Sequence, residues 1–429
     1  MPYISAKAGT DICLERKDKE QLISESFEKI GKKLNRVLII PPDFTRFNSN
    51  AGEITEIIYD MLAPKGVKID ILPALGTHFA MTEKEIRIMF GHKIPLNCFK
   101  VHDWRNGLKK LGEVPSSVIH EWSEGKLDYS VNIEVNKMLY DNYDLILSIG
   151  QIVPHEVVGM ANYSKNICVG VGGQDTINKS HFLGAVYGME RIMGRIDTPV
   201  RKLFNYGIDK FMTDLPMFYI LTVMQKNHGT GKMEMRGLYV GKDMETFAEG
   251  AKLSQKVNLD LLEKPLKKVV VHLDHEEFKS TWLGNKSVYR TRMVMADKGE
   301  LIVLAPGLRE FGEDPEIDRL IRKYGYNGTP ATLEAVKVHK ELQNNLSAAA
   351  HLIHGSSEGR FNITYCPGSG MSIDAIRGVG FKAEKYEAMS KIYDHKKLKD
   401  GFNTMPDGEE IFFISNPSLG LWALKEKFS

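Results

Sequence analysis

The chain has 429 residues, of which 42% are hydrophobic and 26% charged, the balance of a folded enzyme and not of a disordered chain. Lys and Arg number 57 against 55 Asp and Glu, and the resulting net charge of +2 gives no basic excess pointing to nucleic acid. Cys13, Cys98, Cys168 and Cys366 show no C-x-x-C spacing, which excludes a zinc knuckle or a thioredoxin-like site and reads as reduced thiols. The start MPYISAKAGTD lacks the apolar core of a secretory signal, and no apolar run reaches the about 20 residues that cross a bilayer. The expectation is a soluble, cytoplasmic protein of about two to three domains, with neither nucleic acid nor membrane as partner.

Residues 19–34 place Leu22, Ile23, Phe27, Ile30 and Leu34 at helical spacing. The run Val37 to Ile40 reads as a strand stopped by Pro41-Pro42. Residues 53–63 read as a helix, and KIDILPALGTH as a second strand ending in a glycine turn. Thr82 and Glu85 form a capping-box pattern that starts a helix. Residues 143–150 read as a third strand, 166–173 as a fourth, and 217–225 as a buried strand. A helix over 244–262 is ended by Glu263-Lys264-Pro265. Beyond it come KKVVVHL, a strand over 300–307, one long helix over 332–353 and a strand over 360–368. Strand, loop and helix in repeating order give an α/β fold with mainly parallel sheets. The expected division is a cofactor-binding domain over 1–264 and a second α/β domain over 265–404, with an active-site cleft expected between them. The apolar strand in the last segment can return to either domain; packing of about 405–429 back on the first is the reading taken.

In open α/β sheets ligands sit beyond the carboxyl ends of the strands. The loops after the first three strands offer Asp43 and Arg46, then Gly76-Thr77-His78, then His155. Each has a plainer reading: DFTR as an Asx-turn with a surface ion pair, and either histidine as a solvated or hydrogen-bonded loop residue. Together, all following apolar strands, they can converge on one sheet edge. Lys165, the cluster Gly170 to Gly173 and His181 follow; a glycine cluster before a helix can let backbone N–H groups approach a phosphate, with turn geometry as the plainer account. No H-E-x-x-H, paired cysteines or calcium loop occurs.

Taken together these loops resemble the nickel-dependent lactate racemase family of 2-hydroxyacid racemases and epimerases. The resemblance is carried by DFTR (43–46), ALGTH with MTEKE (74–85), VHDW (101–104), and His155 followed by Gly159, Lys165 and His181. It implies a nickel-pincer nucleotide, a pyridinium mononucleotide with sulfur-bearing arms, joined through a thioamide to Lys165, with His181 as the nickel ligand. It also implies His78 and His155 as the acid/base pair, Arg46 near the substrate and Asp43 beside the cofactor, and cofactor-synthesis enzymes as partners. The residue types suit the chemistry. Removing a hydride from an alcohol carbon requires that the hydroxyl proton leave too, and imidazoles serve as acid and base near neutrality. A carboxylate substrate calls for an Arg.

Two departures stand out. The family usually has glycines just before its lysine, where Asn162 and Tyr163 stand, which moves the expected phosphate cradle to Gly172 and Gly173. Its second-domain lysine has no secure counterpart, with Arg292 or Lys286 as replacements and Arg292 taken as substrate-binding. The polar PGLREFGED (306–314) and these basic groups suggest a hydroxy acid longer than lactate, such as a sugar acid. The competing readings are a nicotinamide-dependent 2-hydroxyacid dehydrogenase, against which stands the missing dinucleotide fingerprint, and a cofactor-free binding protein on the same fold.

Overall fold

Apolar runs without alternation supply the middle of the first sheet. The computed structural model describes residues 4–227 and 230–428. Its chain runs through β1 (Ser5–Ala8), β2 (Arg36–Ile40), β3 (Lys68–Ile71), a side ribbon of β4 (Leu108–Val114) and β5 (Val131–Asn136), and β6 (Leu145–Gln151). The two-residue strands β7 (Pro154–His155) and β8 (Gly159–Met160) follow, then β9 (Met217–Lys226) and β10 (Met233–Gly241). The sheet order is β1-β10-β9-β6-β2-β3. β9, β6, β2 and β3 are parallel neighbours, and β10 and β1 extend one edge antiparallel. In β2 and β6 consecutive residues are buried, so both faces are covered and the sequence has no polar side to show. Val37, Ile39, Leu145, Leu147 and Ile149 share a core with Ile54, Ile57 and Ile58 of the helix Ala51–Leu62. Each such side chain contributes about 1.5–3 kcal/mol on burial. Because β6, β2 and β3 are adjacent and parallel, the loops after them leave from one edge.

The second unit contains β11 (Asp260–Leu262), β12 (Leu266–His272), β13 (Met295–Ala305), β14 (Asn362–Pro367), β15 (Lys382–Ala383), β16 (Gly401–Thr404), β17 (Glu410–Ile414) and β18 (Trp422–Leu424). Its sheet order is β15-β14-β13-β12-β17-β16, parallel except for β16 against β17, and β11 pairs parallel with β18. The fold is α/β with mainly parallel sheets. The first unit takes residues up to Leu183 together with Arg191–Asn258; the second takes Gly184–Glu190 and everything from Leu259 onward. The chain therefore changes unit at 258/259, not at 264/265, and lends a short segment to the second unit earlier.

Several elements differ from expectation, each for a local reason. The first helix is Arg16–Ile30, because Gly31 turns left-handed at φ 64 and ends it before Leu34. Residues 166–173 are no strand: Ser164–Cys168 is a short buried helix, and the place beside β6 is filled by β9. A short apolar run cannot tell a core strand from a buried helix, and Asn166, whose side chain bonds the Ile40 carbonyl and the Ser148 hydroxyl, decided the matter through tertiary contacts. The helix expected over 244–262 ends at Asn258, and Asp260–Leu262 turns extended to pair with β18. The single helix expected over 332–353 is three, Gly328–Val338, Lys340–Gln343 and Leu346–His354. His339 is extended, and Asn345 caps the third through the Ala348 N–H. Residues 405–429 belong to the second unit, where β17 inserts between β12 and β16. The capping box at Thr82 and Glu85 is present.

Candidate active site

At the end of β2, Asp43 caps the 3-10 turn Phe44–Ser49, and 5% of its surface is exposed. It gives both carboxylate oxygens to protein: Oδ1 accepts from the Thr45 N–H at 3.2 Å, and Oδ2 accepts from Nδ1 of His78 at 2.6 Å. A carboxylate only accepts, so Nδ1 of His78 carries a hydrogen, and with a single ring hydrogen Nε2 is left bare. Burial pushes the Asp43 carboxyl up, but the hydrogen bond and charge of His78, the Thr45 hydroxyl and the charge of Arg46 outweigh it and hold it below the ordinary range. Asp43, expected beside the cofactor, thus acts on His78. The His78 side chain is itself 61% exposed. Arg46 lies exposed on the same turn; its backbone N–H donates to the Asp43 carbonyl at 3.0 Å, and its side chain makes no hydrogen bond or salt bridge among the described residues.

His155, in β7, is buried, and its Nδ1 accepts from the Val157 N–H at 3.1 Å. Its hydrogen therefore sits on Nε2, the reverse of His78. Burial drives it well below the ordinary imidazole range; Glu156 opposes, while the charges of Lys165, Arg46 and His181 push the same way. Lys165 lies on the short helix Ser164–Cys168, and its amine makes no hydrogen bond or salt bridge among the described residues. Burial and the charge of Arg46 bring it down to about 8, against the pull of Glu156 and Asp43. His181, on the helix Gln174–Tyr187, donates from Nδ1 to the Ile177 carbonyl at 2.6 Å, which leaves Nε2 as a lone pair. Burial takes it down to about 4 despite that bond, so the ring is neutral near pH 7. Asp43, Arg46, His78, His155, Lys165 and His181 form one cluster within the first unit, each feeling the charge of others.

Three other expected residues are engaged elsewhere. Gly172 gives its N–H to the Val169 carbonyl and Gly173 gives its own to Glu134. A Cβ on Gly172 would lie 1.8 Å from the Cys168 carbonyl oxygen, and one on Gly173 2.4 Å from a Glu134 carboxylate oxygen. Close packing is what these positions require, and neither has a free N–H to offer a phosphate. His102, from VHDW, supports this turn by donating to the Gly172 carbonyl at 3.0 Å and accepting from Asn136. Arg292, in the second unit, is buried, with its guanidinium 3.3 Å from Glu190. Lys286 bonds the Ser418 hydroxyl at 3.2 Å.

Residues 17–192 match the lactate racemase N-terminal domain, a span that contains all six members of the cluster. That span is lactate racemase-like. A crystal structure of a Thermotoga maritima protein is similar over 98% of this chain and 100% of its own, at 23% identity and a TM-score of 0.80. The lactate racemase apoprotein from Thermoanaerobacterium thermosaccharolyticum is similar over 96% of this chain and 90% of its own, at 16% identity and a TM-score of 0.69. These likenesses show the lactate racemase fold across both units. A comparison with curated proteins found no match. No helix among the described residues is long and apolar enough to cross a membrane.

Two further residues of this lactate racemase-like span bear on the cluster. Glu156 stands with a carboxylate oxygen 3.8 Å from Nδ1 of His155 and its charge reaches Lys165 and His181. Its adjacency to His155 was the available signal. Arg201 lies under the turn before Lys165, and nothing in PVRK distinguishes it from a surface cation. The donor set also fits the family's cofactor. Among the described residues no three His, Cys, Asp or Glu side chains gather as a metal site, so His181 is a single imidazole donor oriented by a backbone carbonyl, suited to a metal whose other donors arrive with a ligand.

Proposed function

We propose that the chain is a racemase or epimerase that inverts the hydroxyl-bearing carbon of a 2-hydroxy acid, lactate or a longer sugar acid, using a nickel-pincer nucleotide held on Lys165 and His181. The observation that carries this reading is the complementary pair of imidazoles, His78 with a bare Nε2 and His155 with a protonated one, in a cluster with a free amine and a bare metal-type nitrogen. When bound, the cofactor supplies the acceptor and donor of hydride. The chain's own residues handle position and protons. Lys165, half-buried and without a carboxylate on its amine, is the point of attachment, and Nε2 of His181 is the protein's nickel ligand. Arg46, exposed and without a salt bridge, is the group for the substrate carboxylate.

His78 takes the hydroxyl proton at Nε2 while its Nδ1 hydrogen stays on Asp43, whose charge steadies the imidazolium that forms. His155 donates a hydrogen bond from Nε2 to the substrate. For His155 to take a proton in the opposite direction, its hydrogen must move to Nδ1, and Glu156 is the carboxylate within reach of such a ring. The test is co-expression with the cofactor-making enzymes, followed by intact-protein mass, nickel analysis and racemisation of lactate compared with gluconate. A mass increase on Lys165 with one nickel and inversion of either acid supports the reading. An unmodified Lys165 under conditions that load another family member overturns it.

A further inference from the structure

The two residues before the Lys165 helix are both left-handed and neither is glycine: Asn162 has φ 68, and Tyr163 has φ 58 with ψ −132. A turn of this kind persists only where its surroundings over-determine it. One guanidinium does much of that. Arg201, 1% exposed on the helix Pro199–Phe211, donates from Nη2 to the Met160 carbonyl at 2.5 Å. Its Nη1 donates to the Asn162 carbonyl at 3.0 Å and to the Ser164 hydroxyl at 2.8 Å. Asn205, on the same helix, accepts from that hydroxyl at 2.7 Å. The Tyr163 ring stacks on Phe247 at 5.3 Å and tilts against Tyr219 at 4.4 Å, and Phe247 also lies 4.4 Å from the Arg201 guanidinium carbon.

Arg201 forms no salt bridge among the described residues, and a buried guanidinium without a carboxylate is costly. Its side-chain hydrogen bonds end on Met160, Asn162 and Ser164, the residues that lead into Lys165. We propose that Arg201 is a positioning residue for Lys165: by clipping the Met160 and Asn162 carbonyls and the Ser164 hydroxyl it holds the left-handed turn and fixes where the lysine amine leaves its helix. The residue thus does for Asn162 and Tyr163 what backbone freedom would do for glycines at those places. The inference rests on Lys165 as the attachment point, yet the amine's placement can be read without any cofactor.

The test is competitive acetylation of the full-length apo chain with acetic anhydride, above the pH range in which lysines titrate, with rates from peptide masses and surface lysines as reference. Arg201→Lys keeps the charge and loses the planar fork. It is expected to change the relative rate at Lys165 about tenfold, as a small misplacement of a reacting group does, while the melting temperature stays near wild type. Adding Asn162→Gly, which takes the left-handed conformation freely, is expected to restore most of the wild-type rate. Wild-type reactivity in a folded Arg201→Lys chain overturns the proposal, and so does a change that Asn162→Gly fails to rescue. Should Arg201→Lys not fold, Ser164→Ala removes one acceptor only, with an expected change of about threefold and an unchanged rate as the overturning result. An adduct-free Lys165 in the loaded wild type would instead end the cofactor reading and leave the acetylation result standing.

Discussion

His78 and His155 carry their hydrogens on opposite ring nitrogens, one fixed by the Asp43 carboxylate and the other by the Val157 N–H. The two are therefore not interchangeable in the resting site, although a racemase must serve both enantiomers. The equilibrium constant fixes the ratio of kcat/KM in the two directions for every variant, so this asymmetry emerges in kcat and KM separately. Glu156→Gln, which removes the carboxylate beside His155, is expected to lower kcat about tenfold in the direction that needs His155 as base. Initial rates from each pure enantiomer measure it.

Asp43→Asn keeps the size of the side chain and removes the charge that holds His78 in its tautomer. The expected loss in kcat is about 10²–10⁴, comparable with His78→Ala, and the double variant is expected to lose little more than either single one. Near-normal turnover in Asp43→Asn would mean that the 2.6 Å bond does not set the state of His78.

Lys165→Ala is expected to remove covalent cofactor while leaving the melting temperature within a few degrees of wild type, because the amine has no salt bridge to lose. Intact-protein mass of the co-expressed chain reads the adduct. Retention of the full mass increase would place the attachment elsewhere.

His181→Ala is expected to lower bound nickel severalfold with the fold intact. Its Nδ1 bond is to a carbonyl one turn back in its own helix, so its removal strands no distant group. Metal analysis after desalting decides, and full nickel occupancy would reject His181 as the ligand.

In the second unit Glu190 faces Arg292, Arg360 and Lys427. Burial raises its carboxyl, but Lys427, Arg292 and Arg360 together hold it below the ordinary range. A depressed carboxyl adds stability above its unfolded value of about 4.3, and that stability is lost as pH falls through the lower folded value. Glu190→Gln is expected to cost about 3 kcal/mol at neutral pH, since it leaves a buried arginine facing two further cations. Its unfolding free energy should also fall less steeply with acidification than that of wild type. Urea titrations at several pH values test both, and parallel acid profiles would refute the coupling.

The loops of the site were legible because parallel neighbouring strands force their ends to one edge, and β6, β2 and β3 are such neighbours. The resemblance supplied roles for residues in those loops. What the chain did not disclose was set by contacts between distant positions. Asn166 binds to β2 and β6 and makes a helix of an apolar run that reads equally well as a strand. Gly172 and Gly173 look like a phosphate loop, while their N–H groups end on Val169 and Glu134. Arg292 looked free to meet a substrate, and Glu190, 102 residues earlier, occupies it. Local chemistry did announce the capping box at Thr82, where the deciding atoms are neighbours in sequence.

The insertion of β17 next to β12 bears on how the protein is made. Every strand of the first sheet has been synthesised by Gly241, so that half can collapse while translation continues. The other sheet stays incomplete until Ile414 has left the ribosome, because an interior strand, next to the edge strand β16, is the last of that sheet to arrive. Glu190 emerges long before Lys427, 237 positions downstream, and spends that interval without the ammonium that will later hold it. A nascent chain stalled short of β17 therefore exposes the open flank of β12, the surface a chaperone would have to shield.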